Sequence, residues 1–189
     1  MDLWISGKLG FKIKEMKRIG VLSDTHGFVP KQVYSFFADC DELWHAGDIG
    51  PAVLDELRAF KPLRAVWGNC DSFALHYELE ERAFFEVEGQ RVLMTHIGGW
   101  PGHYPYELRR TLALAKPDIF VCGHSHILLV GSGECVVGSS SGQALPTHRF
   151  LHINPGAAGR QGFHRVSTLV RFTLDPTPQD LEVMDFPKN

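Results

Sequence analysis

Short apolar runs that stop abruptly at an acid, an amide or an imidazole are the recurring pattern of this chain. Ile19-Gly20-Val21-Leu22-Ser23 reads as a strand and runs straight into Asp24-Thr25-His26-Gly27. Pro30 then opens a segment whose apolar residues Val33, Phe36 and Phe37 fall on one helix face. The unit repeats: Leu43-Trp44-His45-Ala46 ends in Gly47-Asp48, and Pro51 opens a second helix through Val53, Leu54, Leu57 and Phe60. Leu63-Arg64-Ala65-Val66-Trp67 stops at Gly68-Asn69-Cys70-Asp71. Strands alternating with helices predict a parallel sheet whose functional residues gather beyond the carboxyl ends of the strands.

The pattern then changes. Residues 83–87 and 91–95 flank Glu88-Gly89-Gln90, a hairpin-length connection, and the second of these strands ends in Thr95-His96. Tyr104, Leu108, Leu112 and Ala115 predict a helix over 104–116, closed by Pro117, and the apolar Ile119-Phe120-Val121-Cys122 ends in Gly123-His124-Ser125-His126. From Ile127 onward the chain is β-rich, with strands expected at 128–130, 150–153, 167–173 and 181–186. Between the first two, the Gly- and Ser-rich stretch 132–143 reads as a mobile surface excursion. This order of elements predicts an α/β fold of two packed mixed β-sheets flanked by helices. Residues 1–15 show no period and read as an extension in front of a single domain over 16–189.

Composition narrows the function. A length of 189 residues suits one domain with its own core. Lys plus Arg total 19 against 22 acids, a net charge of −3, so the basic footprint of a nucleic-acid-binding protein is lacking. The four cysteines form no C-x-x-C pair, which excludes a zinc ribbon and a dithiol redox motif. With no signal peptide and no 18-residue apolar run, the expected location is the cytoplasm, away from membranes. Ten histidines are the anomaly, and metal binding and proton transfer are the main uses of imidazole.

Residues i and i+2 of an extended chain point to the same side, so Asp24 and His26 converge at a strand end. Collected from all strand ends, the candidates are Asp24, His26, Asp48, Asn69, His96, His124 and His126. Seven donors are too many for one ordinary ion. Two ions roughly 3.5–4 Å apart, sharing the Asp48 carboxylate and a hydroxide, would use them all.

These pieces, with Asn154-Pro155-Gly156-Ala157 as a closing turn, resemble the calcineurin-like metallophosphoesterases, and within them the small bacterial and archaeal phosphodiesterases. The resemblance implies a four-layer αββα sandwich. It implies one divalent ion held by Asp24, His26, Asp48 and His126, and a second held by Asp48, Asn69, His96 and His124. Manganese is the expected metal, with iron, zinc and nickel also suited to mixed nitrogen and oxygen donors. A metal-bound hydroxide at Asp48 would attack a small phosphodiester, with Asn69 and Cys70 facing the substrate. Many members carry a histidine after the asparagine to protonate the leaving group; here Cys70 stands there, a form common in the phosphodiesterase branch. His103 is the candidate replacement acid, although an exposed loop histidine without a role explains it as well.

Cys70 itself reads as a small buried thiol. His45 and His152 read as hydrogen-bonded core imidazoles, and Arg160 and His164 as either solvated loop residues or phosphate contacts. A phosphomonoesterase is the nearest alternative. A protein-interaction scaffold, like the small retromer subunit of the same fold, is the alternative of another class, and a homo-oligomer is left open. A chain beginning at Met16 is expected to keep the thermal midpoint and activity of the whole; a large loss of either in a side-by-side melt and assay would show that residues 1–15 pack on the core.

Overall fold

Strands covered on both faces must be apolar at nearly every position, and here the alternation of side chains sorts one strand's residues into two different cores. In the computed structural model, which describes residues 16–135 and 147–188, Ile19 and Val21 of β1 (Lys17–Leu22) point one way and Gly20 and Leu22 the other. The inward set joins Trp44 and Ala46 from the end of β2 (Glu42–His45) and Val66 beyond β3 (Leu63–Ala65). Facing it are Val92 and Met94 of β5 (Gln90–Thr95), Ile119 and Val121 of β6 (Ile119–Val121) and Ile153 of β8 (His148–Pro155). This is the seam between two sheets.

The outward residues of each sheet take a helical cover. Leu22 and Leu43 pack with Val33 and Phe36 of α1 (Lys31–Phe36) and Leu54 and Leu57 of α2 (Val53–Phe60). On the far side, Leu93 and Phe120 pack with Leu108 and Leu112 of α4 (Tyr106–Ala115). Three apolar clusters therefore separate four layers, helix, sheet, sheet and helix, as expected.

One sheet runs β10-β9-β1-β2-β3 and the other β4-β5-β6-β8-β7, where β4 is Arg82–Val87, β7 Leu128–Cys135, β9 Val166–Asp175 and β10 Thr177–Pro187. Each sheet contains a parallel run, β1-β2-β3 and β5-β6-β8; antiparallel β9 and β10 flank the first on one side, leaving β3 as its other edge, and antiparallel β4 and β7 flank the second on both sides. The loops after β1, β2, β3, β5 and β6 carry the seven candidate ligands. At the free edge, β10 is interrupted by a register shift between Gln179 and Glu182, with Asp180 at φ +50°.

Two stretches differ from expectation. Helix α3 (Phe73–Glu78) was not signalled by periodicity; the Ser72 side chain caps it by accepting the Leu75 N–H at 3.5 Å. The first residues of the Gly/Ser stretch, Ser132 to Cys135, extend β7 and pair with β8, while 136–143 lie outside the described residues, as do 1–15. Gly133 is there for space: a Cβ would meet the Phe150 ring and come within 2.6 Å of the Tyr104 hydroxyl. No helix among the described residues is long and apolar enough to cross a membrane.

Gly20 is similarly constrained, since a Cβ would sit 2.6 Å from Leu43 Cδ2 and 2.7 Å from Phe37 Cδ1 under α1. Gly20→Ala is expected to cost about 1–3 kcal/mol by overpacking, read as a lower urea midpoint; an unchanged midpoint would mean that α1 moves away freely.

Candidate metal centre

Five candidate ligands occupy left-handed backbone conformations that side-chain-bearing residues rarely adopt: Asp24 (φ +55°), His26 (+48°), Asp48 (+53°), His124 (+67°) and His126 (+59°). Each such residue costs of order 1–3 kcal/mol unless its surroundings dictate it. Here the backbone latches the loops together. Asp24 N–H donates to Gly47 O at 3.0 Å and His26 N–H to Asp48 O at 2.9 Å in one sheet, and Gly123 N–H donates to His96 O at 2.9 Å in the other. The sharp bends turn side chains from three strand ends toward one point.

At that point His126 Nε2 lies 3.0 Å from Asp24 Oδ1, and His26 Nε2 lies 3.9 Å from Asp24 Oδ1 and 3.8 Å from Asp48 Oδ2. His96 Nε2 lies 3.2 Å from Asp48 Oδ2 and 4.0 Å from Asp24 Oδ1. Ligand atoms of Asp24, His26 and His126 fall within 4.8 Å of one another, as do those of Asp48, His96 and His124. Asn69 stands beside His96 along a cavity of about 170 Å³ that both line. The structure thus gathers all seven into one neighbourhood.

The donor set fits cations on its own chemistry. His96 Nδ1 donates to the Ala46 carbonyl at 2.7 Å, which fixes the ring and turns Nε2 toward Asp48 Oδ2; burial would lower the imidazole's pKa, but the Asp48 and Asp24 carboxylates outweigh it and raise it. Asp24 accepts the His124 N–H on Oδ2 at 3.1 Å, leaving Oδ1 buried without a hydrogen-bond partner, and His96 Nε2 is equally orphaned. Buried groups of this kind are normally paired, and a divalent ion would satisfy both. Burial would raise the Asp48 carboxyl, but His96 and the Cys70 N–H, at 2.7 Å from Oδ1, outweigh it and hold the group below the usual carboxylate range. Glycine is required around the ligands, since a Cβ at Gly68 would strike Asp48 Oδ1 and one at Gly162 would strike His126 Nδ1.

Supporting residues were only partly legible. Asp71 accepts the N–H groups of Gly50 and Gly68, both at 2.8 Å, which ties the Asp48 loop to the Asn69 loop. Asn154 donates to Gly123 O at 2.8 Å and to Ser125 Oγ at 3.0 Å, so the closing turn also clamps the His124–His126 loop. Cys70 corrects the expectation of a buried thiol: it is exposed, because inward-facing Asp71 and the bond from its own N–H to Asp48 turn its side chain out toward the mouth. Its sulfur nevertheless groups with His26 and Asp48 within 4.8 Å. His103 is exposed on the Trp100–His103 turn, and no described hydrogen bond, ion pair or ring contact joins it to the seven. His76, unassigned by sequence, stacks on Trp67 at 4.1 Å behind Asn69.

His45 and His152 are fully buried, as expected. Gly47 N–H donates to His45 Nδ1 at 3.2 Å, so Nε2 carries the proton and donates to Thr25 Oγ1 at 2.9 Å, which itself donates to Ile49 O. Burial pushes both imidazoles down to about 4. Between about 6.5, the ordinary value, and 4 the unfolded chain takes up protons that these folded rings refuse. Stability of the metal-free protein is therefore expected to be full above that window and to fall as pH drops through it. Urea titrations from pH 7 to about 4 should show the slope, reduced in His152→Gln; a flat profile would contradict it.

Two mixed sheets with helical covers and an Asp/His cluster where the strand ends of both sheets meet define a metallophosphoesterase architecture. The chain belongs to the calcineurin-like phosphoesterase superfamily, whose domain matches residues 16–177. It is 34% identical over 116 residues to a probable metallophosphoesterase of Methanothermobacter thermautotrophicus. That match covers 57% of this chain and 66% of the relative, just under two thirds of its length. The fold is similar to that of a novel archaeal phosphodiesterase (TM-score 0.63, 19% identity, 89% of this chain and 99% of the other). It is also similar to Chaetomium thermophilum Vps29 (TM-score 0.61, 14% identity, 92% and 98%).

Proposed function

We propose that this chain is a phosphodiesterase working with two divalent cations, manganese foremost. The carrying observation is the uncompensated donor set: a bare, buried Asp24 oxygen and a bare His96 nitrogen beside an ionised Asp48. Asp24, His26, Asp48 and His126 would hold one cation, and Asp48, Asn69, His96 and His124 the other. When bound, the cations would polarise a phosphoryl oxygen and lower the pKa of an attacking water.

The chain's own part is orientation. Asp48 Oδ1 is fixed by the Cys70 N–H, so Oδ2 stays turned toward the imidazoles. His96 is locked by Ala46 and packed against Gly47, where a Cβ would lie 2.7 Å from the ring. Exposed His124, Asn69 and Cys70 form the mouth through which an ester reaches the centre. A thiol beside Asn69 is a weaker proton donor than an imidazolium, and burial and Asp48 raise the Cys70 thiol further, so esters with acidic leaving groups are the favoured class. A monoester brings an extra negative charge that no cationic histidine at position 70 offsets, which favours diesters over monoesters. The likeness to Vps29 supports a second reading, a protein-interaction scaffold in the cytoplasm.

The deciding experiment is metal reconstitution with elemental analysis, followed by a screen of aryl mono- and diesters. Two metals per chain and faster diester hydrolysis are expected; a protein that takes up no metal and stays inert favours the scaffold. Asp48→Asn should lose at least one metal and reduce turnover by more than the ~10–100-fold that removing a ligand's supporting partner costs. Retention of two metals with near-normal turnover would refute the shared carboxylate.

A further inference from the structure

Beside the metal centre lies a groove of about 380 Å³, a volume in the range of small-molecule sites, whose walls spring directly from ligand loops. Phe28 follows His26-Gly27, and Arg160 follows Gly159, whose N–H donates to Asp24 O at 3.0 Å. The Arg160 guanidinium rests over the Phe28 ring at 3.7 Å, which joins the two walls and holds the cation in place. Lys31 and Lys188 complete the charged lining, with Phe186 and Pro187 among the apolar part. The Lys188 ammonium donates to the Gln161 carbonyl, on the same loop as Arg160.

Among the described residues, none of Lys31, Arg160 and Lys188 has a carboxylate within ion-pair distance, although acids outnumber Lys and Arg in the chain as a whole. Three cations left without acids around an apolar floor fit an anionic group carried on an apolar or ring-containing stem. We propose that this groove is a subsite for the distal half of the substrate, and that it selects phosphodiesters bearing a second phosphate on a nucleoside-like body. The proposal rests on the phosphodiesterase reading for the reaction, but the groove's binding can be measured separately.

Two measurements test it. In the first, the manganese-loaded protein hydrolyses a p-nitrophenyl phosphodiester of thymidine with and without a second phosphate on the other sugar oxygen. The second phosphate is expected to raise kcat/KM about tenfold or more, the usual worth of a charge-assisted hydrogen bond. Arg160→Ala and Lys188→Ala should each abolish most of that ratio, whereas Arg110→Ala, on exposed α4, should leave it intact. In the second, adenosine diphosphate is titrated calorimetrically into the metal-free protein at low salt, where the same two variants should weaken binding about tenfold. Equal kcat/KM for both esters, with nucleotide binding absent or unaffected by the variants, overturns the subsite while leaving the phosphodiesterase standing. Nucleotide binding that depends on Arg160 and Lys188 in a protein hydrolysing neither ester supports the subsite and removes the phosphodiesterase reading instead.

Discussion

Two carboxylates, Asp24 and Asp48, are brought together at the edge where the sheets meet, and the rest of the molecule must hold them there against their mutual repulsion. Left to themselves, buried charges of one sign push the surrounding structure apart or take up protons. The fold resists with short-range backbone bonds: Asp24 N–H to Gly47 O, His26 N–H to Asp48 O and Gly123 N–H to His96 O. Each connects two ligand loops, so movement of one loop is felt by the next.

The cost of this arrangement appears in the backbone. Non-glycine residues in left-handed conformations are tolerated at five candidate ligand positions, while glycines fill neighbouring places where a side chain would strike one of those residues. The sandwich beneath is correspondingly rigid: Trp44 contacts both Phe85 and Phe172 edge-on at the sheet seam, at 5.3 and 5.6 Å. A stable apolar base holds a strained polar rim.

Much of this was legible in the sequence, because strand ends are marked by abrupt changes in polarity and the ligand types are few. Asp24, His26, Asp48, His96, His124 and His126 announce themselves as polar residues after apolar runs. Long-range support was harder to read. The role of Asn154 depends on β8 lying beside β6, and that of Thr25 on a partner twenty residues away. Cys70 was misjudged because composition cannot tell which residue of Asn69-Cys70-Asp71 turns inward. In Ser132-Gly133-Glu134-Cys135, glycine content suggested mobility where glycine in fact admits the Phe150 ring.

The interrupted edge of β10 bears on how copies of this chain meet in crowded solution. An eleven-residue edge strand with regular pairing would be an open template for another chain's strand. The shift between Gln179 and Glu182, the left-handed Asp180, and prolines at 178 and 187 that lack an amide proton break that template at several points. The sheet therefore has a finite width by construction, and self-association by strand addition is suppressed. Encounters between molecules along this edge must proceed through side chains, where charge and shape can discriminate one partner from another.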